Sequence, residues 1–107
     1  MARVELCRAA EVPEGGLLRV VDADGLIAPV AVANVRGEIF AVDDRCSHQE
    51  ASLADGWLED YSIECPMHES RFDLRTGEPD APPARERVRT HEVDVVNGVV
   101  YLKDKLD

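Results

Sequence analysis

Two short segments, Cys46-Ser47-His48 and Cys65-Pro66-Met67-His68, hold two of the three cysteines and two of the three histidines of the chain, with sixteen residues between them. No other feature restricts the fold as strongly. A thiolate and an imidazole in each segment suit a tetrahedral zinc or an iron–sulfur centre, and either centre requires two separate loops to meet at one point. A rigid scaffold must hold both. In a chain of 107 residues the core is modest, so ligation would also contribute to folding. The third cysteine, Cys7, falls in an expected early strand and reads as a small core residue.

The scaffold reads as β. Leu17 to Val21 and Leu26 to Val35 are apolar and β-branched, and Asp24-Gly25 between them is a hairpin signal. Glu38 to Val42 follows Arg36-Gly37 with partial alternation. Near the other end, 91–95 and 99–102 flank Asn97-Gly98, a strong two-residue hairpin signal. No dozen residues hold a 3.6 period, so helix should be scarce. From about Asp43 to Arg85 the strand pattern weakens, while turn residues, acids and the Cys/His segments accumulate. The organisation expected is therefore one domain: residues 1–43 and 85–107 form a β scaffold, and about 44–84 form an inserted subdomain carrying the functional loops.

Charge excludes other classes. Twelve basic residues against twenty-two acidic give −10, which argues against a surface that must neutralise nucleic-acid or anionic-lipid phosphates. Eleven acids and three arginines between Asp43 and Asp80 concentrate −8 there, a solvating surface or an acidic docking face. No apolar run approaches the ~20 residues of a membrane span. The N-terminus shows no apolar block followed by small residues, and three cysteines cannot all pair, so a reducing cytoplasm is expected.

Ligand order narrows the metal. Zinc fingers usually group a cysteine pair and then a histidine pair, whereas here each segment mixes one of each. That mixture suits a binuclear site in which two cysteines bind one iron and two histidines the other, the ligand set of a Rieske [2Fe–2S] centre. On ligand chemistry alone a structural zinc module stays open.

The surrounding residues carry a resemblance. Cys46-x-His48 with Leu53 and Gly56, then Cys65-Pro66-Met67-His68 with Arg71-Phe72-Asp73 and Thr76-Gly77, resemble the two cluster loops of Rieske proteins. Ala81-Pro82-Pro83-Ala84 resembles the proline loop over the cluster, and Ala9 to Gly16 is similar to the opening of stand-alone Rieske ferredoxins. The resemblance implies an all-β Rieske sandwich or barrel with a small cluster-binding β subdomain, and one [2Fe–2S] cluster on Cys46, His48, Cys65 and His68. It also implies a soluble one-electron carrier that is not catalytic alone. Such a carrier takes electrons from a flavin-containing NAD(P)H-dependent ferredoxin reductase and passes them to the terminal oxygenase of an aromatic ring-hydroxylating dioxygenase system. A monomer is expected, with no nucleic-acid or membrane partner. The alternative is a Rieske small subunit of assimilatory nitrite reductase or of another multi-component oxidoreductase.

Departures from the family pattern matter as well. Ala51 and Met67 stand where Rieske proteins of cytochrome bc-type complexes carry a disulfide, and Phe72 stands where those proteins carry a tyrosine that donates to a ligand sulfur. A lost donor and abundant negative charge both disfavour the reduced cluster, so a potential at the low end of the Rieske range is expected. Ser70 matches a serine that can hydrogen-bond the cluster, and Glu69 replaces a frequent glycine. Trp57 reads as a packing residue of the cluster subdomain and Met67 as an apolar cover. His91 reads as an ordinary sheet histidine, and Asp43, Asp44, Glu50 and Glu69 as docking or solvating acids.

Overall fold

A computed structural model of the chain describes residues 4–23, 25–26, 28–45, 52–66, 71–79 and 87–103. Among the described residues ten short strands form three antiparallel sheets. The first sheet has the order β1 (Val4–Arg8), β10 (Val99–Leu102), β9 (Val93–Val96). The second has the order β2 (Leu17–Val20), β3 (Val30–Val35), β4 (Glu38–Asp43), β8 (Thr90–His91). The third holds β5 (Trp57–Glu59), β6 (Ser62–Glu64) and β7 (Arg71–Asp73), all drawn from the middle of the chain. Two 3-10 turns, Ala9–Glu11 and Leu53–Asp55, are the only helical segments among the described residues, so the all-β expectation holds.

Strand β3 explains how the sheets stack. All six of its residues are buried, because both of its faces are covered. Val30 and Val32 face a core shared with Val4, Leu6, Val100 and Leu102 of the first sheet. Ala31, Ala33 and Val35 face the opposite core, shared with Leu53, Ile63, Phe72 and Leu74 around the third sheet. The period-2 alternation of a strand thus sends successive side chains into two different cores. Each fully buried aliphatic or aromatic side chain contributes about 1.5–3 kcal/mol. The second sheet is the layer on which the cluster-loop sheet rests.

The turns divide into those that local chemistry sets and those it does not. Arg36-Gly37 (φ 53° and 93°) and Asn97-Gly98 (φ 52° and 79°) have both central residues at positive φ. They join β3 to β4 and β9 to β10 as two-residue hairpins, the geometry whose twist matches the strands. The two-residue hairpin expected at Asp24-Gly25, of which Asp24 lies outside the described residues, does not join the strands. The β2–β3 ladder ends at Val20↔Val30, so the connection spans residues 21–29 and strand structure begins at Val30 rather than Leu26. Pro29 has no amide with which to extend the ladder. The strand expected over 91–95 is also divided. Thr90–His91 pairs with β4, while Val93–Val96 pairs with β10. Between them the Glu92 carbonyl accepts the amide of Lys103 at 2.8 Å, fixing the chain where it changes sheets.

Candidate metal centre

The second ligand segment grows out of a hairpin. Strands β6 and β7 pair through Ser62↔Asp73, Ile63↔Phe72 and Glu64↔Arg71, and Cys65 is the residue that follows β6. Ile63 and Phe72 point inward and are fully buried, and Cys65 is fully buried in the same apolar cluster. The rows on the other face, Ser62, Glu64, Arg71 and Asp73, are partly exposed. The Glu64↔Arg71 pair holds together the two ends of the segment that carries Cys65 and His68.

The first ligand segment is held differently, by a buried carboxylate. Asp44 continues the alternation of Phe40 and Val42 past the end of β4, and its side chain has no exposed surface. Oδ1 accepts the amide of Ala54 at 2.7 Å, and Oδ2 accepts the Ser52 hydroxyl at 2.5 Å. Arg19 Nε–H donates to Oδ2 at 2.8 Å, and the amide of Asp44 donates to the Pro29 carbonyl at 3.0 Å. Residues before and after the first ligand segment are thereby tied together. Leu53, between Ser52 and Ala54, is fully buried and belongs to the same apolar cluster as Cys65. The stems of the two ligand segments share one core.

Gly56 explains the small residue of the first loop pattern. A Cβ placed there would lie 1.8 Å from the Glu64 carbonyl oxygen. The chain leaving the first loop therefore passes against the end of β6, next to Cys65, at a separation only glycine permits.

Of the four candidate ligands, Cys65 lies at this junction, while Cys46, His48 and His68 lie outside the described residues. So do Glu50, Ala51, Met67, Glu69, Ser70 and the Ala81–Ala84 proline loop. Cys7 stands apart. It pairs with Val100 in the first sheet, is buried, and its thiol is pushed up to about 11 by burial and then by the charge of Glu11. A thiol held protonated is a poor metal ligand, as its reading as a core residue requires.

Several acids differ from what sequence suggested. Asp44 is a buried acceptor, not a docking or solvating acid. Asp43 accepts from the nearly buried ring of His91, with His91 Nε2 2.8 Å from its Oδ1. His91 is thus a sheet histidine whose partner lies three residues before Cys46. Glu59 pairs with Arg71 at 3.2 Å and Asp73 with Arg75 at 3.0 Å, while Arg36 reaches Asp60. The Arg75 guanidinium holds the Asp73 carboxyl below its usual range, chiefly through their hydrogen bond. Arg71 and Arg75 are already counted in the −8, so only Arg36 on Asp60 and Arg19 on Asp44 bring cationic charge from outside that segment, and most of its excess negative charge remains. Trp57, expected to pack, is 50 % exposed, and its indole N–H donates to Glu64 Oε1 at 3.0 Å. It sits on the partly exposed face of a three-stranded sheet whose other face is apolar, and alternation puts Leu58 inward instead.

The donor set fits an iron–sulfur centre: two thiols and two imidazoles in segments whose stems meet on one apolar core that includes the buried Cys65 sulfur. Residues 2–92 match the model of the Rieske [2Fe-2S] domain, and the chain belongs to that family, whose cofactor is one Rieske-type [2Fe–2S] cluster. It is 42% identical over 103 residues to the 3-phenylpropionate/cinnamic acid dioxygenase ferredoxin subunit of Escherichia coli strain K12, covering 95% of this chain and 93% of that one. Among solved structures it is similar to the Sphingomonas yanoikuyae B1 ferredoxin (TM-score 0.89, 34% identity, 96% of this chain and 99% of that one). It is also similar to a chain in a complex of reduced oxygenase and oxidized ferredoxin of carbazole 1,9a-dioxygenase (TM-score 0.83, 36% identity, 96% and 95% covered). Among the described residues no helix is long and apolar enough to cross a membrane.

Proposed function

We propose that this chain is the ferredoxin of an aromatic ring-hydroxylating dioxygenase system, in which Cys46 and Cys65 bind one iron of its cluster and His48 and His68 the other. It is an electron carrier and not a catalyst by itself. Electrons arrive from a flavin-containing NAD(P)H-dependent reductase and leave to the terminal oxygenase, in the cytoplasm, with the carrier acting as a monomer. The cluster-binding unit is residues 44–84, set into the scaffold of residues 1–43 and 85–107. The observation that carries this reading is the convergence of the two loop stems, with Leu53 and the buried Cys65 in one apolar cluster.

When bound, the cluster takes up and releases one electron, and four protein ligands leave no open position for substrate. The residues around it do the rest. Ile63, Phe72 and Leu53 exclude water from the Cys65 side, which lowers the local dielectric and shields the sulfur. The β6–β7 hairpin and the Asp44 contacts fix the loop ends, so little rearrangement accompanies a change of charge. Acids around the loops favour partners with basic surfaces, chiefly by accelerating encounter.

Anaerobic purification followed by iron and sulfide analysis and by EPR of the reduced protein tests the reading. Two irons, two sulfides and a Rieske-type signal are expected. Cys65→Ser should give colourless, poorly folded protein, and Cys7→Ser should stay coloured. A zinc-loaded protein, or bleaching by Cys7→Ser with a normal spectrum in Cys65→Ser, overturns it.

A further inference from the structure

Among the described residues Asp44 is the only charged one that is buried. A buried carboxylate costs several kcal/mol unless its lone pairs are satisfied, so its partners show what it is for. Two of the three side-chain contacts come from Ser52 and Ala54, immediately beyond the loop that Asp44 itself precedes, and the third comes from Arg19 on β2. We propose that Asp44 is a positioning residue for the cluster: its carboxylate ties residue 44 to residues 52 and 54, and so fixes the two ends of the segment that carries Cys46 and His48. This rests on the ligand assignment above.

The geometry separates this role from an ordinary brace. The turn that Asp44 grips, Leu53–Asp55, carries Leu53 into the apolar cluster that contains Cys65. Moving Ser52 and Ala54 therefore moves one loop stem relative to the sulfur of the other. A carboxylate can accept from three donors through two oxygens, whereas an asparagine amide keeps one acceptor oxygen and turns the other position into a donor. Facing Ser52 and Arg19, that donor would meet at least one further donor. Arg19 is half-exposed, so it anchors the carboxylate from the scaffold rim without adding a second buried charge.

The test uses the cluster-loaded protein with Asp44→Asn, Asp44→Ala and Ser52→Ala. Asn34→Ala is the control. Asn34 is likewise buried and bridges two backbone groups, donating to the Val12 carbonyl at 2.8 Å and accepting from the Gly37 amide at 2.7 Å, but it lies outside the loop stems. Three quantities are read: the apparent unfolding temperature, the EPR g-values and linewidths of the reduced protein, and the rate of bleaching by an iron chelator. Asp44→Ala should bleach about tenfold faster or more, the kinetic equivalent of ~1.4 kcal/mol, with shifted or broadened g-values. Asp44→Asn and Ser52→Ala should move the same way by less, and Asn34→Ala should lower the unfolding temperature with an unchanged spectrum. If Asp44→Ala does not fold, Ser52→Ala and Asp44→Asn decide. Folded variants with wild-type spectra and bleaching rates, and only a lower unfolding temperature, overturn the positioning role alone. A wild-type protein without a Rieske signal overturns the ligand assignment and this proposal with it.

Discussion

Replacing Gly56 by alanine should damage the cluster-loop sheet far beyond the size of one methyl group. The added Cβ would sit 1.8 Å from the Glu64 carbonyl oxygen and 3.3 Å from that of Leu53. Comfortable carbon–oxygen contacts begin near ~3.3 Å, so the start of β5 must retreat by roughly 1.5 Å. A ladder bond of about 2.9 Å would then stretch past 4 Å and cease to be one. The ladder concerned pairs Trp57↔Glu64, Leu58↔Ile63 and Glu59↔Ser62. Losing two or three bonds at ~1 kcal/mol each, and loosening the buried Leu53 and Ile63, gives on the order of 3–5 kcal/mol. Gly37→Ala is the matched control. Nothing lies within 4 Å of its added Cβ, and only the φ of +93° resists the side chain, at about 1–2 kcal/mol. Calorimetry at one fixed scan rate should therefore show Gly56→Ala melting about 15 °C or more below wild type. It should bleach at that lower temperature, and Gly37→Ala should fall clearly less. Equal melting temperatures for the two variants would refute the close-approach argument.

Three further outcomes are expected. Burial raises the Cys7 thiol from 9.0 to about 11, and the proton stays on longer in the folded state than in the unfolded one, so this group's stabilisation is complete below pH 9 and is lost as pH rises toward 11. Urea midpoints across that window should fall more in wild type than in Cys7→Ala, and alkylation of Cys7 at pH 8 should require unfolding. Phe72→Tyr should raise the reduction potential by tens of millivolts, the equivalent of roughly 1 kcal/mol for one hydrogen bond to a sulfur; voltammetry showing no change while the hydroxyl reaches the sulfur refutes that donor mechanism. Electron transfer to the oxygenase, measured where association limits the rate, should slow as salt rises past ~0.1 M, where the Debye length is about 10 Å; a flat salt profile would leave the acids as solvating groups.

What sequence alone determined here is what short range fixes. Asn97-Gly98 specifies a hairpin because that dipeptide accepts positive φ at two successive residues, whereas the matching turn at Arg36-Gly37 was not legible, since arginine has no preference for the φ of 53° it takes there. Donor chemistry at 46, 48, 65 and 68 narrowed the centre to zinc or iron–sulfur, because ligand softness belongs to the side chain, and the resemblance of the surrounding residues to Rieske loops decided between them. The β character of both ends followed from β-branched apolar runs and turn signals, and Leu53 and Gly56 were visible as a pattern, although not the 1.8 Å approach that requires the glycine. The rest depended on partners distant in the chain. Asp24-Gly25 looked like a hairpin, yet the β2–β3 ladder stops at Val30, beyond Pro29. Residues 91–95 looked like one strand, yet they serve two sheets. Trp57 looked like core, but the face of β5 that turns inward is decided by how β5 to β7 rest on the second sheet. Asp44 looked like one more surface acid among eleven. It is buried because Arg19, Ser52 and Ala54, from 25 residues before it to 10 after, supply enough donors to hold a carboxylate out of water. Such satisfaction of a buried charge exists only once the chain has folded.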